Sequence, residues 1–290
     1  MRRPFKYPLS TLSALALAAS LWPAFAQAET TLRWGMRWDF SQGHTYAPLR
    51  NPASYPGANS LALYNGLTRL DPTNGYAPVP DLAESWTISE DGLTYTFTLR
   101  DGIAFHDGSP VTADDVVFTV GVAQDPKHNL QVQADLAPVV SVTAPDPRTV
   151  VFTLAYPYGP FLTNVGFAIV PRALLEPELA AGKVLNETDF ARAPVGTGPY
   201  RFAEFKPGAE LVLEANPDYH FGAPRIDRLV FVLAQDPETL PLRINAGEVD
   251  GGIIAPAMAG TIDPAVATAI SYKSASTETI ALNPPLPPLD

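Results

Sequence analysis

The sequence predicts a mixed fold of strands and helices, either α+β or α/β with mixed sheets, and three observations lead to this prediction. Apolar and aromatic residues alternate with threonine over residues 93–99, which is the period-2 pattern of a half-buried strand. Two pairs of apolar stretches flank turn sequences, at residues 139–143 and 149–154 and at residues 200–205 and 211–215, as in β-hairpins. Strands and helices therefore do not alternate strictly, and a purely parallel sheet is not expected.

The remaining elements follow from local patterns. Thr112-Ala113-Asp114-Asp115 precedes an apolar helical face and indicates a helix start, so the two aspartates are interpreted as capping groups and not as a catalytic pair. In chain order, the other predicted elements are a strand over residues 31–37, a short helix capped by Asn59 and ended by Gly66, a strand over residues 86–88 that pairs with residues 93–99 through Asp91-Gly92, a buried strand over residues 229–233, a helix over residues 237–246 ended by Gly247, and a strand over residues 249–254.

Length and composition narrow the possible functions. The 290 residues predict two domains or one large α/β unit, and an apolar content of 46% argues against a disordered chain. The absence of cysteine excludes disulfides, thiolate metal sites, a cysteine nucleophile and a lipid-modified N-terminal cysteine. The formal charge of −11 argues against a nucleic-acid partner, because such binding needs clustered lysine and arginine.

The N-terminus has the layout of a secretory signal peptide over residues 1–28. Arg2, Arg3 and Lys6 precede an uncharged apolar run at residues 9–21, and Ala26-Gln27-Ala28 offers small residues for cleavage. The run is shorter than the roughly 20 residues that span a bilayer. A short anchor or a buried helix is the alternative interpretation, and export by either the general or the twin-arginine route stays open. Cleavage would change the formal charge to −14 and predicts a periplasmic protein without a lipid anchor.

A second charge-free stretch, residues 149–171, is long enough to be considered as a membrane span. Two prolines, two glycines, two tyrosines and an asparagine interrupt it, so a buried strand followed by a loop is the better interpretation.

No motif in the sequence signals catalysis, a metal or a cofactor. The four histidines, His44, His106, His128 and His220, do not have metal-ligand spacing, and there is no nucleophile elbow or phosphate-binding Walker loop. His106-Asp107-Gly108 is interpreted as a turn, since Asp-Gly explains it. We therefore predict a protein that is not an enzyme, although a secreted hydrolase with a scattered carboxylate pair stays open.

Several segments, in this order and spacing, resemble the extracytoplasmic solute-binding proteins of family 5, the peptide and nickel receptors of ABC importers. The segments are LYNGLTRLDP at residues 63–72, PDLAESW at 80–86, DGLTYTFTLRDG at 91–102, FHDG at 105–108, VTADDVVF at 111–118, PVGTGPY at 194–200, LEANPDY at 213–219 and GEVD at 247–250.

The resemblance implies a clam-shell receptor of the type II periplasmic-binding-protein kind. Lobe I would comprise residues 29–63 and 167–270, and lobe II would be inserted as residues 64–166. Residues 271–290 would begin lobe III and stop at Asp290. The resemblance therefore implies a chain that is truncated before lobe III, either as a fragment or as a shortened gene.

The same resemblance implies candidate ligand-binding residues. Ser54, Tyr55 and Pro56 match a cleft-facing loop that offers main-chain hydrogen bonds to an extended ligand, with an ordinary surface tyrosine as the alternative for Tyr55. The other candidates are Tyr64, Asn65, Gly196, Thr197 and Gly198. For the last three, a tight bend near the boundary between the lobes is favoured over direct ligand contact, and Trp86 is expected to pack in the core.

The implied function is a monomeric receptor that closes around a small peptide and delivers it to an ABC permease in the inner membrane. A nickel-chelate, opine or glycan receptor of the same family is one alternative. A secreted hydrolase and a nonfunctional truncated fragment are the others.

Overall fold

The computed structural model describes residues 29–36, 62–130, 132–234 and 236–271. The signal sequence, the loop with Ser54, Tyr55 and Pro56, His44 and Asn59 all lie outside these residues. Of the short helix predicted between Asn59 and Gly66, residues 62–66 are described. Ala62 and Leu63 are helical, and the helix ends there, before Gly66.

One sheet has five strands in the order β11-β1-β10-β9-β8. They are β1 (Thr31–Met36), β8 (Tyr200–Lys206), β9 (Glu210–Ala215), β10 (Arg228–Leu233) and β11 (Gly251–Gly252). The strand β1 runs parallel to both β10 and β11, whereas β8, β9 and β10 are antiparallel. The sheet is therefore mixed, and it joins strands from the start and the end of the described chain.

A second sheet is wholly antiparallel, in the order β4-β5-β7-β6. It consists of β4 (Ala83–Ile88), β5 (Thr94–Leu99), β6 (Val139–Asp146) and β7 (Thr149–Leu154). A two-stranded ribbon, β2 (Thr68–Asp71) with β3 (Ala77–Pro80), leads into it. All residues of this sheet fall between the two chain segments that build the first sheet.

Besides Ala62 and Leu63, the described residues form five α-helices. They are α1 (Ala113–Gln124), α2 (Val132–Asp135), α3 (Phe161–Asn164), α4 (Arg172–Ala180) and α5 (Leu240–Asn245). Short 3₁₀ turns cover Pro72–Asn74, Pro126–His128, Leu185–Glu187, Pro237–Thr239 and Pro256–Thr261.

The start of α1 is a capping box that also joins a second helix. The Asp115 carboxylate accepts hydrogen bonds from the Thr112 N–H at 2.9 Å and from the Thr112 hydroxyl at 2.8 Å. Its other oxygen accepts the Arg172 N–H at 2.9 Å, at the first residue of α4. The carboxylate thereby satisfies N–H groups at two helix starts, which agrees with the interpretation of Asp115 as a capping group. For Asp114, which is exposed, the capping role stays a prediction.

The main core lies under the antiparallel sheet. Phe97 and Phe152 meet edge to face at 5.7 Å between ring centres, and Phe161 contacts Phe152 at 5.3 Å. All three side chains are fully buried. Leu211 and Leu213 of β9 belong to this same core, so the inner faces of both sheets contribute to it.

The other face of the five-stranded sheet packs against α5. A smaller cluster there contains Val212, Val230, Leu240, Ile244 and Val249. Apolar residues on both faces explain why β9 reads as the nearly continuous run Leu211–Leu213 and not as an alternating strand.

Most of the predicted elements are confirmed, with boundaries shifted by a few residues. Trp86 is partly buried and packs on the core, with its ring 6.1 Å from that of Phe97. The strand predicted over residues 249–254 is shorter than expected, because only Gly251 and Gly252 pair with β1. Residues 149–171 form β7, a largely exposed connection at residues 155–160, α3 and a mostly buried stretch at residues 165–171. None of the helices in the described part of the chain has the length and hydropathy of a membrane span.

The two adjacent aspartates of α1 provide a test of the capping assignment. Asp115→Ala should lower the free energy of unfolding by about 2–3 kcal/mol, because three hydrogen bonds to a buried carboxylate are lost. The exposed neighbour offers a matched control, and Asp114→Ala should cost less than about 1 kcal/mol. Urea unfolding measures both changes, and equal losses for the two variants would contradict the assignment.

Candidate functional site

The candidate residues meet where the chain segment at residues 62–68 contacts two other segments. Gly196 and Gly198 lie directly on its backbone. The Gly198 N–H donates to the Leu63 carbonyl oxygen at 2.9 Å. A Cβ on Gly196 would collide with that same oxygen, and a Cβ on Gly198 would collide with the Ala62 carbonyl oxygen. Only glycine permits this approach, so the glycine pair serves backbone packing here.

Residues 165–169 contact the opposite side of the same segment. The Leu67 N–H donates to the Val165 carbonyl at 3.1 Å, and the Ile169 N–H donates to the Asn65 carbonyl at 3.0 Å. A Cβ on Gly66 would collide with the backbone of Gly166. We refer to the three contacting segments, residues 62–68, 165–169 and 196–198, as the junction.

Side chains add a second set of contacts within the junction. The Asn65 N–H donates to Oγ1 of Thr197 at 3.0 Å, and the Thr197 hydroxyl donates to Oδ1 of Asn65 at 3.3 Å. Thr197 is 2% exposed and Asn65 is 7% exposed. Tyr64 is also buried, and this burial raises the pKa of its phenol well above the usual value.

His106 bonds to the Gly196–Gly198 bend through both its main chain and its ring. Its main-chain N–H donates to the Gly196 carbonyl at 2.8 Å, and its ring Nδ1 accepts a hydrogen bond from the Gly196 N–H at 3.1 Å. Because Nδ1 is an acceptor, the ring proton is on Nε2, which donates to the Gly198 carbonyl at 3.0 Å. Burial lowers the pKa of His106 to about 4, so the imidazole is neutral at pH 7.

A buried carboxylate lies next to Asn65. Both oxygens of Asp81, which is 2% exposed, accept hydrogen bonds from Nδ2 of Asn65, at 3.1 and 3.0 Å. Nε2 of His220 lies 3.2 Å from Oδ1 of Asp81. The Asn65 amide also donates to the Tyr219 hydroxyl at 3.2 Å, and burial raises the pKa of Tyr219. The Asp81 charge is thus surrounded by polar partners.

Asn216 connects this network to the five-stranded sheet. Its side-chain amide donates to the Gly198 carbonyl at 3.1 Å, while its Oδ1 accepts from Nε of Arg201 at 3.1 Å. Arg201 in turn pairs with Asp218 at 3.0 Å. The bend at residues 196–198 is therefore held by groups from three distant parts of the sequence.

The structure brings together five of the eight candidate residues, Tyr64, Asn65, Gly196, Thr197 and Gly198. They form a buried junction in which their polar groups contact other protein groups. Their role as direct ligand contacts stays a prediction. Within the described ranges, no three His, Asp or Glu side chains are grouped so that they could hold a metal ion.

Local sequence patterns do not indicate a site role for Asp81, His106, Asn216 or His220. The first three lie inside the motif segments, and His106 was interpreted only as part of an Asp-Gly turn. A buried partner distant in sequence leaves no local signal.

A family profile described as "Bacterial extracellular solute-binding proteins, family 5 Middle" matches residues 77–290. The chain belongs to this family. Among its curated relatives, "Di/tripeptide-binding protein 4" of Pseudomonas aeruginosa is 37% identical over 211 residues, covering 66% of this chain and 39% of that protein.

Two solved structures of family 5 binding proteins are similar in fold. The oligopeptide-binding protein AppA of Bacillus subtilis, solved with a nonapeptide, has a TM-score of 0.73 and 28% identity, covering 81% of this chain and 46% of AppA. NikZ of Campylobacter jejuni, solved with Ni(L-His), has a TM-score of 0.71 and 30% identity, covering 79% of this chain and 44% of NikZ. The predicted mixed α/β fold of the binding-protein type is therefore confirmed.

The chain covers only part of these proteins. It spans about two fifths of the length of the first curated relatives and under half of the solved structures. The activity of a complete family 5 receptor is therefore a proposal for this chain.

The close backbone approach at Gly196 is testable with a second glycine as control. Gly196→Ala should lower the free energy of unfolding by more than about 3 kcal/mol, because the new methyl group meets backbone that cannot move aside. Gly121→Ala, at an exposed and open position within α1, should raise stability by about 0.5–1 kcal/mol. Chemical denaturation measures both, and a well-folded Gly196→Ala protein of unchanged stability would contradict the packing account.

The partly buried His106 predicts a specific pH dependence. The pKa of His106 in the folded protein is about 4, below its ordinary value of 6.5, so the unfolded chain binds a proton that the folded chain does not. The stability from neutral His106 is present above pH 6.5 and is lost as the pH falls towards 4, by about 2–3 kcal/mol. Burial also lowers the pKa of His128, which contributes in the same direction.

Unfolding free energies at pH 7.0, 5.5 and 4.5 test this dependence. His106→Gln should be less stable than wild type at pH 7 but should lose less stability on acidification. His128→Gln, measured in parallel, isolates the second contribution. A slope that is unchanged in His106→Gln would show that His106 is not the group that titrates.

Proposed function

We propose that the chain is the periplasmic substrate-binding component of an ABC importer and that it binds di- to oligopeptides for delivery to a membrane permease. The similarity of most of this chain to a di/tripeptide-binding protein and to AppA, which was solved with a nonapeptide, carries the proposal. The family description, which is of extracellular proteins, supports export. Cleavage after Ala28, release into the periplasm without a lipid anchor and a monomeric state are parts of the same proposal.

The proposed lobes agree with the way the chain is divided between the sheets. Lobe I, residues 29–63 and 167–270, would contain the five-stranded mixed sheet. Lobe II, residues 64–166, would contain the antiparallel sheet and its helix α1. The chain passes between the two at residues 62–68 and 165–169, which are two of the three junction segments. In this proposal the remaining wall of the ligand cleft belongs to lobe III.

The junction would determine where the cleft-facing loop is presented. The loop with Ser54, Tyr55 and Pro56 immediately precedes the fixed segment that begins at Ala62. Main-chain hydrogen bonds from such a loop would hold an extended peptide with little dependence on its side chains. Tyr64, Asn65 and the bend at residues 196–198 would then act mainly by positioning this wall of the cleft.

A nickel-chelate receptor is the second candidate. Its support is the similarity to NikZ, which was solved with Ni(L-His), over 79% of this chain. The junction does not discriminate between the two ligand classes, because its groups contact one another.

Ligand titration of the purified chain tests the proposal. At a peptide concentration of about one hundred times Kd, binding should stabilise the fold by about 2.7 kcal/mol and raise the melting temperature. Di-, tri- and pentapeptide mixtures would be compared with Ni²⁺-histidine and with mannopinic acid, which tests the opine alternative. Calorimetry would confirm each shift in melting temperature. Released amino acids would be assayed in the same samples.

The outcomes separate the candidates. A melting shift and heat with peptides, without hydrolysis, support the proposed function. A response to Ni²⁺-histidine alone favours the second candidate, peptide turnover favours a hydrolase, and no response to any solute contradicts binding by this chain.

A further inference from the structure

Among the described residues, three arginines form no ion pair. Every described lysine and arginine has a carboxylate oxygen within 4.0 Å except Arg69, Arg100 and Arg225. The chain as a whole carries a formal charge of −11, so acidic groups are in excess. Arginines without a carboxylate partner are therefore unusual features of this surface.

Two of the three arginines contact the same exposed aromatic ring. The guanidinium carbon of Arg69 lies 5.3 Å from the ring centre of Phe221, and that of Arg100 lies 5.0 Å from it. The Phe221 side chain is 46% exposed, although a ring of this size usually gains from burial. We call these three residues the arginine–phenylalanine patch.

The buried residue Asp81 holds the patch in place. Nε of Arg100 donates to the Asp81 main-chain oxygen at 2.6 Å. The Asp81 carboxylate contacts His220, the residue before Phe221, and the His220 and Phe221 ring centres lie 4.4 Å apart. One buried residue thus fixes both Arg100 and the chain that carries Phe221. A patch fixed in this way loses little conformational entropy when a partner binds.

The chemistry of the patch favours a carboxylate. A guanidinium that contacts a ring through its face keeps N–H donors at its edge, and these donors suit carboxylate oxygens in a bidentate geometry. The hydrogen bonds from Thr73 and, after them, the charge of Arg69 lower the pKa of Asp71. Exposed arginine beside an aromatic ring is also the composition that is enriched in protein–protein interfaces.

We propose that the arginine–phenylalanine patch docks a carboxylate-rich segment of a partner protein. On the function proposed above, that partner is the permease, and the patch orients the acidic receptor for delivery of its solute. Local charge of opposite sign steers association even where the net charges of two proteins repel.

An acidic peptide serves as the probe. Fluorescence anisotropy would measure binding of a labelled decaglutamate peptide to the purified chain at low and at physiological salt. Arg69→Gln and Phe221→Ala should each weaken binding by about fivefold or more. Arg225→Gln removes another unpaired arginine without touching the ring, and it should weaken binding by less than about twofold. Circular dichroism and melting would show that each variant is folded.

Three results would overturn the proposal. They are no peptide binding, an equal loss in Arg69→Gln and Arg225→Gln, and complete competition by millimolar inorganic phosphate, which would indicate a site for a free anion. The solute-induced melting shift should be the same in Arg69→Gln and wild type, because Arg69 is not among the candidate ligand-binding residues. Loss of peptide docking with an intact melting shift therefore tests the patch alone, and loss of the melting shift in wild type rejects the proposed function instead.

Discussion

The structure depends on the direct contact of three backbone segments at the junction. Gly66, Gly196 and Gly198 lack the Cβ atoms that would separate them. Buried main-chain groups at such a crossing must be hydrogen-bonded, and here Leu63, Asn65 and Leu67 bond to chain 98 to 135 residues away. Distant parts of the sequence are thereby fixed to each other at atomic contact. Both sheets extend from this point.

The polar side chains around the junction make the same arrangement specific. His106 and Asn216 bond to groups of the bend, Thr197 of the bend bonds to Asn65, and Asp81 is matched by Asn65 and His220. A buried polar group without its partner costs free energy, so alternative packings that break these pairs are disfavoured. The same pairs also fix groups that lie outside the junction. Asp81 fixes the surface around Phe221, and residues 62–68 fix the chain that follows the loop that would face the ligand.

Local structure was predictable because its signals are local. The alternation in residues 93–99 reports which face of β5 is buried, and Thr112 with Asp115 specifies a helix start within four residues. The junction could not be predicted in the same way, since Thr197 and Asn65 are 132 residues apart and a glycine does not indicate which backbone it will meet. His106 was correctly placed in a turn, but its ring partners lie 90 residues further along the chain. The predicted strand at residues 249–254 failed in length because pairing, and not hydrophobicity, limits it to two glycines.

Native-state hydrogen exchange of the junction amides tests the central claim most directly. If the junction holds both sheets together, the amides of Asn65, Gly196 and Gly198 should exchange only through global unfolding, with the same opening free energy as Phe97 in β5 and Leu213 in β9. The account is contradicted if these three amides open at a free energy lower by about 2 kcal/mol or more while the amides of both sheets stay protected.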